Sequence, residues 1–334
     1  MKPAKQTKQC SHKRDAILEV LLENFGCFVP GETLTRASNL SRSGVWKHIA
    51  SLRSRGFSIR AGIKKGYSLT EIPDKLLPPL IKAGLRTSVV SREIYYFPTI
   101  DSTNRVAKEY ALSGVLDGAV VIADEQTGGK GRMNRAWISP ARSSILCSII
   151  FYPSISTSSV FRLTMLASIA VVRAVKRICG LAAQIKWPND VYIDGKKTCG
   201  ILTEFLADHD SVCYVVVGIG INVNLDTALH PEIKDVATCL KEAKGREVSR
   251  LKVLKTLLEE IDTLYRDFKQ TGGQYLRKEW ESHSMVLNRE VKIISGNEVA
   301  CGTAKGINED GHLILADARG NTREILCGDL SLRF

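Results

Sequence analysis

The sequence predicts an α+β protein built in three successive parts: a helix-turn-helix with a wing, a mixed and mostly antiparallel sheet with helices, and a small β-barrel. Three observations predict it. Helical spacing governs residues 14–56 and gives way at once to a strand–turn–strand pattern. The middle alternates strands and helices with few long crossovers, which argues against a doubly wound parallel sheet. From Asn288 onward apolar and polar residues alternate, with turns at Gly296-Asn297, Asp310-Gly311 and Gly320-Asn321. A chain of 334 residues exceeds one small core. The boundaries read from it are 1–70, a linker at 71–84 punctuated by Pro73, Pro78 and Pro79, then 85–285 and 286–334.

In the first part, Ile17, Val20, Leu21, Leu22 and Phe25 give a helix its apolar face, and Gly26 stands where a helix ends. A second short helix is read in GETLTRASNL, with Leu34 and Ala37 inward. The stretch SRSGVWKHIASLRSRG supplies a third over 42–55: Ser41 is a good N-cap, Val45, Ile49 and Leu52 form the buried stripe, and Gly56 ends it. Its outer face carries Ser43, Lys47, Ser51, Ser54 and Arg55, which suits a recognition helix. FSIRAGIKKGYSL then reads as a hairpin, a wing whose lysines reach phosphates. The DNA-contact candidates are Ser41, Arg42, Ser43, Lys47, Ser51, Arg55, Lys64 and Lys65. A helical domain that binds a protein partner would satisfy the same spacing.

Charge favours nucleic acid. The net charge is +12; residues 1–70 hold 13 Lys/Arg against four Asp/Glu, and the remaining 264 hold 34 against 31. A basic surface so concentrated attracts polyanions through counterion release. A solvated tail would account equally for Lys2, Lys5, Lys8, Lys13 and Arg14. No apolar segment follows the basic N-terminus, unlike a secretory signal. Apolar runs such as Val215–Val217 fall far short of the ~18 residues that a membrane span needs. Nine cysteines without C-x-x-C or a histidine cluster point away from zinc and disulfides, toward a reducing, cytoplasmic setting.

In the middle part REIYYF, AVVIADEQ and SSILCSIIFYP read as strands, Asp101–Ala111 as a helix entered through DSTN, and Ser159–Cys179 as a long helix. AQIKWPNDVYI, TCGILTEFL and VCYVVVGIGINVNL follow with short turns between them and should form an antiparallel meander. A linker helix near Leu251–Phe268 closes this part.

Four short motifs carry the chemistry. GGKGRMNRAW, residues 128–137, packs three glycines and three cations into ten positions. Its spacing is neither Walker A nor G-x-G-x-x-G, yet glycines allow close backbone approach and the cations want an anion. DSTN (101–104) opens a helix where hydroxyls and free N–H groups can hold an acceptor, and a plain N-cap explains it as well. In KWPND (186–190) Pro188 stiffens the backbone, Trp187 is flat and apolar, and Lys186 is a point charge at a strand end; a turn with a solvent lysine is the alternative. GIL (200–202) and GIGINVN (218–224) fit close sheet contacts, and neither is specific alone.

Taken in order, DSTN, Q-x-x-G-x-G-R, KWPND with GIL, and GIGINVN closely resemble the biotin protein ligase family. With the winged helix-turn-helix ahead of them, the chain resembles the bifunctional form that also represses the biotin operon. The resemblance runs from about Arg14 to the C-terminus. It implies a class II synthetase-like ligase domain and an SH3-like C-terminal domain. It implies biotin as substrate, ATP and Mg²⁺, and biotinyl-5′-AMP as intermediate and corepressor. The implied partners are a biotin carboxyl carrier protein of acetyl-CoA carboxylase, operator DNA of biotin genes, and a second copy of the chain once adenylate is bound, with no membrane.

Residue by residue, Ser102, Thr103, Asn104 and Gln126 match the biotin-contacting segment, joined by Gly129, Lys130, Gly131, Arg132, Lys186 and Gly200. Lys130, Arg132, Arg135, Trp137, Lys186, Asn189 and Asn222 fall on the ATP and adenylate side, with Trp137 stacked on adenine and Asn222 near phosphate and Mg²⁺. Lys186 and Arg132 are the catalytic pair the resemblance implies, and the loop is expected to order around phosphate. The chain departs from the commonest loop, G-R-G-R-R-G-R: Lys130 replaces an arginine and Met133-Asn134 replaces Arg-Gly. Lysine keeps charge but loses the bidentate fork, which predicts altered adenylate retention with catalysis kept. A ligase whose winged helix no longer reads an operator, a lipoate or octanoyl ligase, and a regulator without catalysis remain as rival readings.

Overall fold

The computed structural model describes residues 16–295, 298–326 and 328–332. Lys2 to Arg14 and the Gly296-Asn297 turn lie outside the described residues. Contacts divide the chain into two compact units, Met1–Leu85 and Arg86–Phe334.

The first unit holds helix α1 over residues 16–23, α2 (Gly31–Ser38), α3 (Arg42–Ser54), strands β1 (Ser58–Gly62) and β2 (Gly66–Glu71), and α4 (Pro78–Lys82). Its core is Ile17, Leu21, Leu34, Ile49, Leu52 and Leu69, all fully buried. Ser41 caps α3, accepting from the Gly44 amide at 3.2 Å. In α2 the inward neighbour of Leu34 is Ser38, not Ala37 as the sequence suggested: the i+4 position wins, and the Ser38 hydroxyl donates to the Leu34 carbonyl at 2.6 Å. β1 and β2 pair as an antiparallel wing, with Lys64 at φ 58° in its turn. The proline-marked segment carries α4, whose Leu80 and Ile81 are buried.

The second unit is built on a seven-stranded sheet of order β3-β4-β5-β9-β8-β7-β6. Its strands are β3 (Ile94–Phe97), β4 (Ala119–Ala123), β5 (Ser144–Phe151), β6 (Gln184–Lys186), β7 (Asp190–Ile193), β8 (Lys196–Asp208) and β9 (Ser211–Asn222). β3 and β4 are parallel; every other pair is antiparallel, and β7-β8-β9 is the expected meander. β4 and β5 are buried at every position because helices cover both faces, which is why they read as unbroken apolar runs. Helix α5 (Thr103–Leu112) packs on Val121, Ile150 and Val216. The adjacent Phe151 meets Tyr265 of α8 (Arg250–Thr271), ring centroids 4.2 Å apart, so it points to the opposite face.

Helix α6 (Phe161–Cys179) packs against α8. With the 3-10 turn before it, α6 is long and apolar enough to cross a membrane, but it is mostly buried as a core helix. α7 (Leu240–Lys244) and α9 (Leu276–His283) complete the helices. α9 leads to a five-stranded antiparallel sheet, order β13-β12-β11-β10-β14, from β10 (Glu290–Ser295), β11 (Glu298–Ile307), β12 (Leu313–Ala316), β13 (Thr322–Ile325) and β14 (Asp329–Leu332). This SH3-like part docks through its Asp310-Gly311 turn. Asp310 pairs with Arg162 at 3.0 Å, and the Gly311 carbonyl accepts from the Trp187 indole at 3.1 Å.

Candidate functional site

A cavity of about 580 Å³ opens among the N-terminus of α5, β6 to β9, loop 129–137 and β14. Its two ends differ in chemistry.

One end is a closed hydrogen-bond network. The Thr103 amide and hydroxyl both donate to Gln126 Oε1, at 2.7 and 2.9 Å. The Ser148 hydroxyl lies 2.8 Å from Thr103 Oγ1 and 2.6 Å from Asn104 Oδ1. Asn104 Nδ2 donates to the Leu202 carbonyl and to Glu204, at 3.1 and 2.8 Å, and Glu204 in turn holds Lys108 at 2.7 Å. Thr103, Asn104 and Ser148 are buried, so each bond is made in a low dielectric. Ser102 caps α5. The backbone is shaped for this end: a Cβ at Gly218 would stand 2.1 Å from Asn104 Oδ1.

The other end is cationic. Lys186 Nζ lies 3.3 Å from the Tyr192 hydroxyl and 5.2 Å over its ring. Burial pulls the Lys186 ammonium below its ordinary pKa and pushes the Tyr192 phenol up to about 12. Lys197 pairs with Asp190 at 2.6 Å and sits 5.6 Å over the Trp137 ring. The Trp137 indole rests on the sheet at Gly200 and Gly220, where a Cβ would approach it to 2.9 and 2.7 Å, and its buried N–H has no hydrogen-bond partner. Asn189 Nδ2 donates to the Ile201 carbonyl at 2.6 Å. Asn222 Nδ2 donates to Thr238, while its buried Oδ1 has no partner.

Loop 129–137 is a tight hairpin: the Trp137 amide donates to Gly129 at 2.9 Å and the Gly131 amide to Arg135 at 2.8 Å. Its tip, Met133 and Asn134, is left-handed, with φ 53° and 58°. The Arg132 guanidinium donates to the Gly328 carbonyl at 3.2 Å, and Arg135 pairs with Asp329, so the C-terminal strand holds the loop.

The cavity therefore brings together Ser102, Thr103, Asn104, Gln126, Lys130, Gly131, Arg132, Arg135, Trp137, Lys186, Asn189, Gly200 and Asn222. Gly129 is the exception: it packs beneath Gln126 Nε2, where a Cβ would come to 2.8 Å, and does not line the wall. Ser148, Glu204, Tyr192, Lys197 and Asp329 escaped the sequence reading, and Gly218 entered it only as part of GIGINVN. Ser148 had a signal, a hydroxyl inside the otherwise apolar run SSILCSIIF. Among the described residues no three His, Cys, Asp or Glu side chains gather as a metal cluster.

In the first unit, Arg42, Ser43, Lys47, Ser51 and Arg55 are exposed on or next to α3, with Arg42 paired to Glu32 at 3.1 Å. Ser41 is spent on its cap. At the wing, Lys65 lies 5.9 Å over the Phe28 ring, beside Lys64.

Fold and site define the class: a ligase domain of the biotin/lipoate type joined to a helix-turn-helix. Residues 96–222 match the Biotin/lipoate A/B protein ligase family, 286–333 the Biotin protein ligase C terminal domain, and 13–68 an HTH domain. The chain is 37% identical over 320 residues to a bifunctional ligase/repressor BirA of Bacillus spizizenii, covering 96% of this chain and 98% of that one. It is 29% identical to the Escherichia coli protein of the same name, over 95% and 96%. A biotin protein ligase of Aquifex aeolicus, solved with biotin and ATP, superposes with a TM-score of 0.63 at 32% identity, over 72% of this chain and 99% of that one. The chain belongs to the biotin protein ligase family, in its bifunctional ligase/repressor branch.

Proposed function

We propose that the protein joins biotin to AMP, passes the biotinyl group to a lysine of a biotin carboxyl carrier protein, and as its adenylate complex represses biotin-synthesis genes. The observation that carries the reading is the two-ended cavity, a neutral hydrogen-bonding end facing a cationic one. Thr103, Asn104, Gln126 and Ser148 hold the ureido head, which both donates and accepts. The valeryl chain runs from there toward Lys186. Its carboxylate oxygen attacks the α-phosphorus of ATP and pyrophosphate leaves; Lys186, Lys130, Arg132 and Arg135 offset the negative charge that gathers there. Binding the phosphate needs Arg132 and Arg135 released from Gly328 and Asp329, or shared with them. Trp137 covers the adenine and Asn189 fixes the strand edge beneath it. The amine of the acceptor lysine then attacks the mixed anhydride carbonyl and AMP leaves.

The unpartnered Asn222 Oδ1 is a hard oxygen donor at the phosphate end, and it fits Mg²⁺ bound mainly by phosphate oxygens and water. The ion would neutralise the triphosphate. Dimerisation is proposed through the edge of β8. Past Ile201 this strand pairs with no other strand on its β7 side among the described residues, and it exposes Phe205 and Leu206. A cytoplasmic setting agrees with free thiols at all seven described cysteines.

The test is pyrophosphate exchange with biotin, lipoate or octanoate as the acid. Exchange with biotin alone is expected. Exchange driven equally by lipoate would refute the role given to the hydrogen-bonding end.

A further inference from the structure

Helix α3 presents an outer face of Ser43, Trp46, Lys47, Ala50 and Ser54, spaced three and four residues apart. Trp46 is 61% exposed in the middle of that face. It lies in the first half of the helix, the part of a recognition helix that reaches base edges. Its neighbour one turn on is Ala50, too small to shield the indole, and its flanks are the hydroxyl of Ser43 and the ammonium of Lys47. The face is thus one large flat apolar surface inside a polar and cationic rim. Hydroxyls and lysines explain attraction to a phosphate backbone; the indole adds nothing to that attraction.

The major groove offers an apolar partner of matching position, the 5-methyl group of thymine. Charge selects the occupant: the first 70 residues hold 13 Lys/Arg against four Asp/Glu, which fits a polyanion better than an apolar protein surface. We propose that Trp46 is a specificity-determining residue that reads a thymine by contact with its methyl group, while Lys47 and the wing lysines Lys64 and Lys65 hold phosphates. The inference rests on the repressor reading above.

The experiment uses the full chain with biotin, ATP and Mg²⁺. A duplex is first enriched by the wild-type protein from a random library, and each thymine in it is then replaced singly by deoxyuridine, which lacks only the methyl. Wild type is expected to lose about tenfold in affinity at one thymine per half-site, roughly 1.4 kcal/mol. Trp46→Ala, which removes the contact in both half-sites of a dimer, should lose about a hundredfold on the parent duplex and be indifferent, within about twofold, to that same replacement. Lys47→Ala should instead weaken every duplex alike and flatten the salt dependence. Equal penalties for the replacement in wild type and Trp46→Ala, or unchanged binding of the variant to the parent duplex, would overturn the proposal and leave the repressor reading standing. If wild type enriches no sequence at all, the repressor reading falls and the proposal with it.

Discussion

The two ends of the cavity are built on opposite principles. At the Thr103–Asn104 end Thr103, Asn104 and Ser148 are buried and paired to neighbours, and at Asn104 the missing Cβ of Gly218 leaves the room. At the Lys186–Arg135 end Lys186 and Arg132 are half-buried, Lys130 and Arg135 are exposed, and the two arginines spend bonds on the C-terminal segment. The first end resembles a rigid mould and the second a set of charges that must be reassigned when phosphate arrives. A neutral head group needs fixed donors and acceptors, since an unmatched buried partner is costly. A charge-gathering reaction gains most from cations that are kept partly dehydrated.

The comparison can be broken first at Lys186. Lys186→Ala is expected to slow adenylate formation by about 10²–10³, the range for removing one transition-state stabiliser, with biotin affinity changed far less. Because burial depresses the Lys186 pKa, its charge is lost at lower pH than in a free lysine. The rate should therefore fall on an alkaline limb below the usual lysine range, and Lys186→Arg should push that limb upward; pyrophosphate exchange against pH checks both. At the mould end, Gly218→Ala would drive a methyl group into Asn104. We expect biotin affinity to drop about 100-fold, or about 2.7 kcal/mol, measured by calorimetry, with ATP affinity little altered.

Smaller effects sharpen the contrast. Asp329→Asn removes the partner of Arg135 and should shift the KM for ATP by about three- to tenfold, as an exposed charge pair warrants, while leaving biotin affinity unchanged. Asn134→Gly should act least: glycine accepts the left-handed tip with less strain, worth at most about 1 kcal/mol, and the adenylate off-rate is the measurement to follow.

Much of this was legible in the sequence, for identifiable reasons. The meander β7-β8-β9, the long α6 and the wing follow from local periodicity and turn residues, which act over a few positions. The cavity's cations stood out because three of them crowd a glycine-rich stretch. Illegible were contacts made across the fold. Nothing near Asp329 in the chain announces Arg135, 194 residues away. Gly218 gives no hint of Asn104 until β9 and α5 are packed together. Ala37 failed for a different reason: two spacings, i+3 and i+4, were both helical, and only the packing of α2 chooses Ser38.

The arrangement of tryptophans has a spectroscopic consequence. Trp187 and Trp280 are sealed, at 1% and 0% exposure, and should emit in the blue whatever binds. Trp46 lies open on α3, and Trp137 lies half-covered on Gly200 and Gly220 under the Lys197 ammonium. Single Trp46→Phe and Trp137→Phe variants would thus assign any change in emission to one or the other of two responsive native fluorophores in separate places. One would be quenched or shifted by nucleotide and the other by a duplex, so occupancy of the two tasks could be followed by light in a single cuvette without any attached dye.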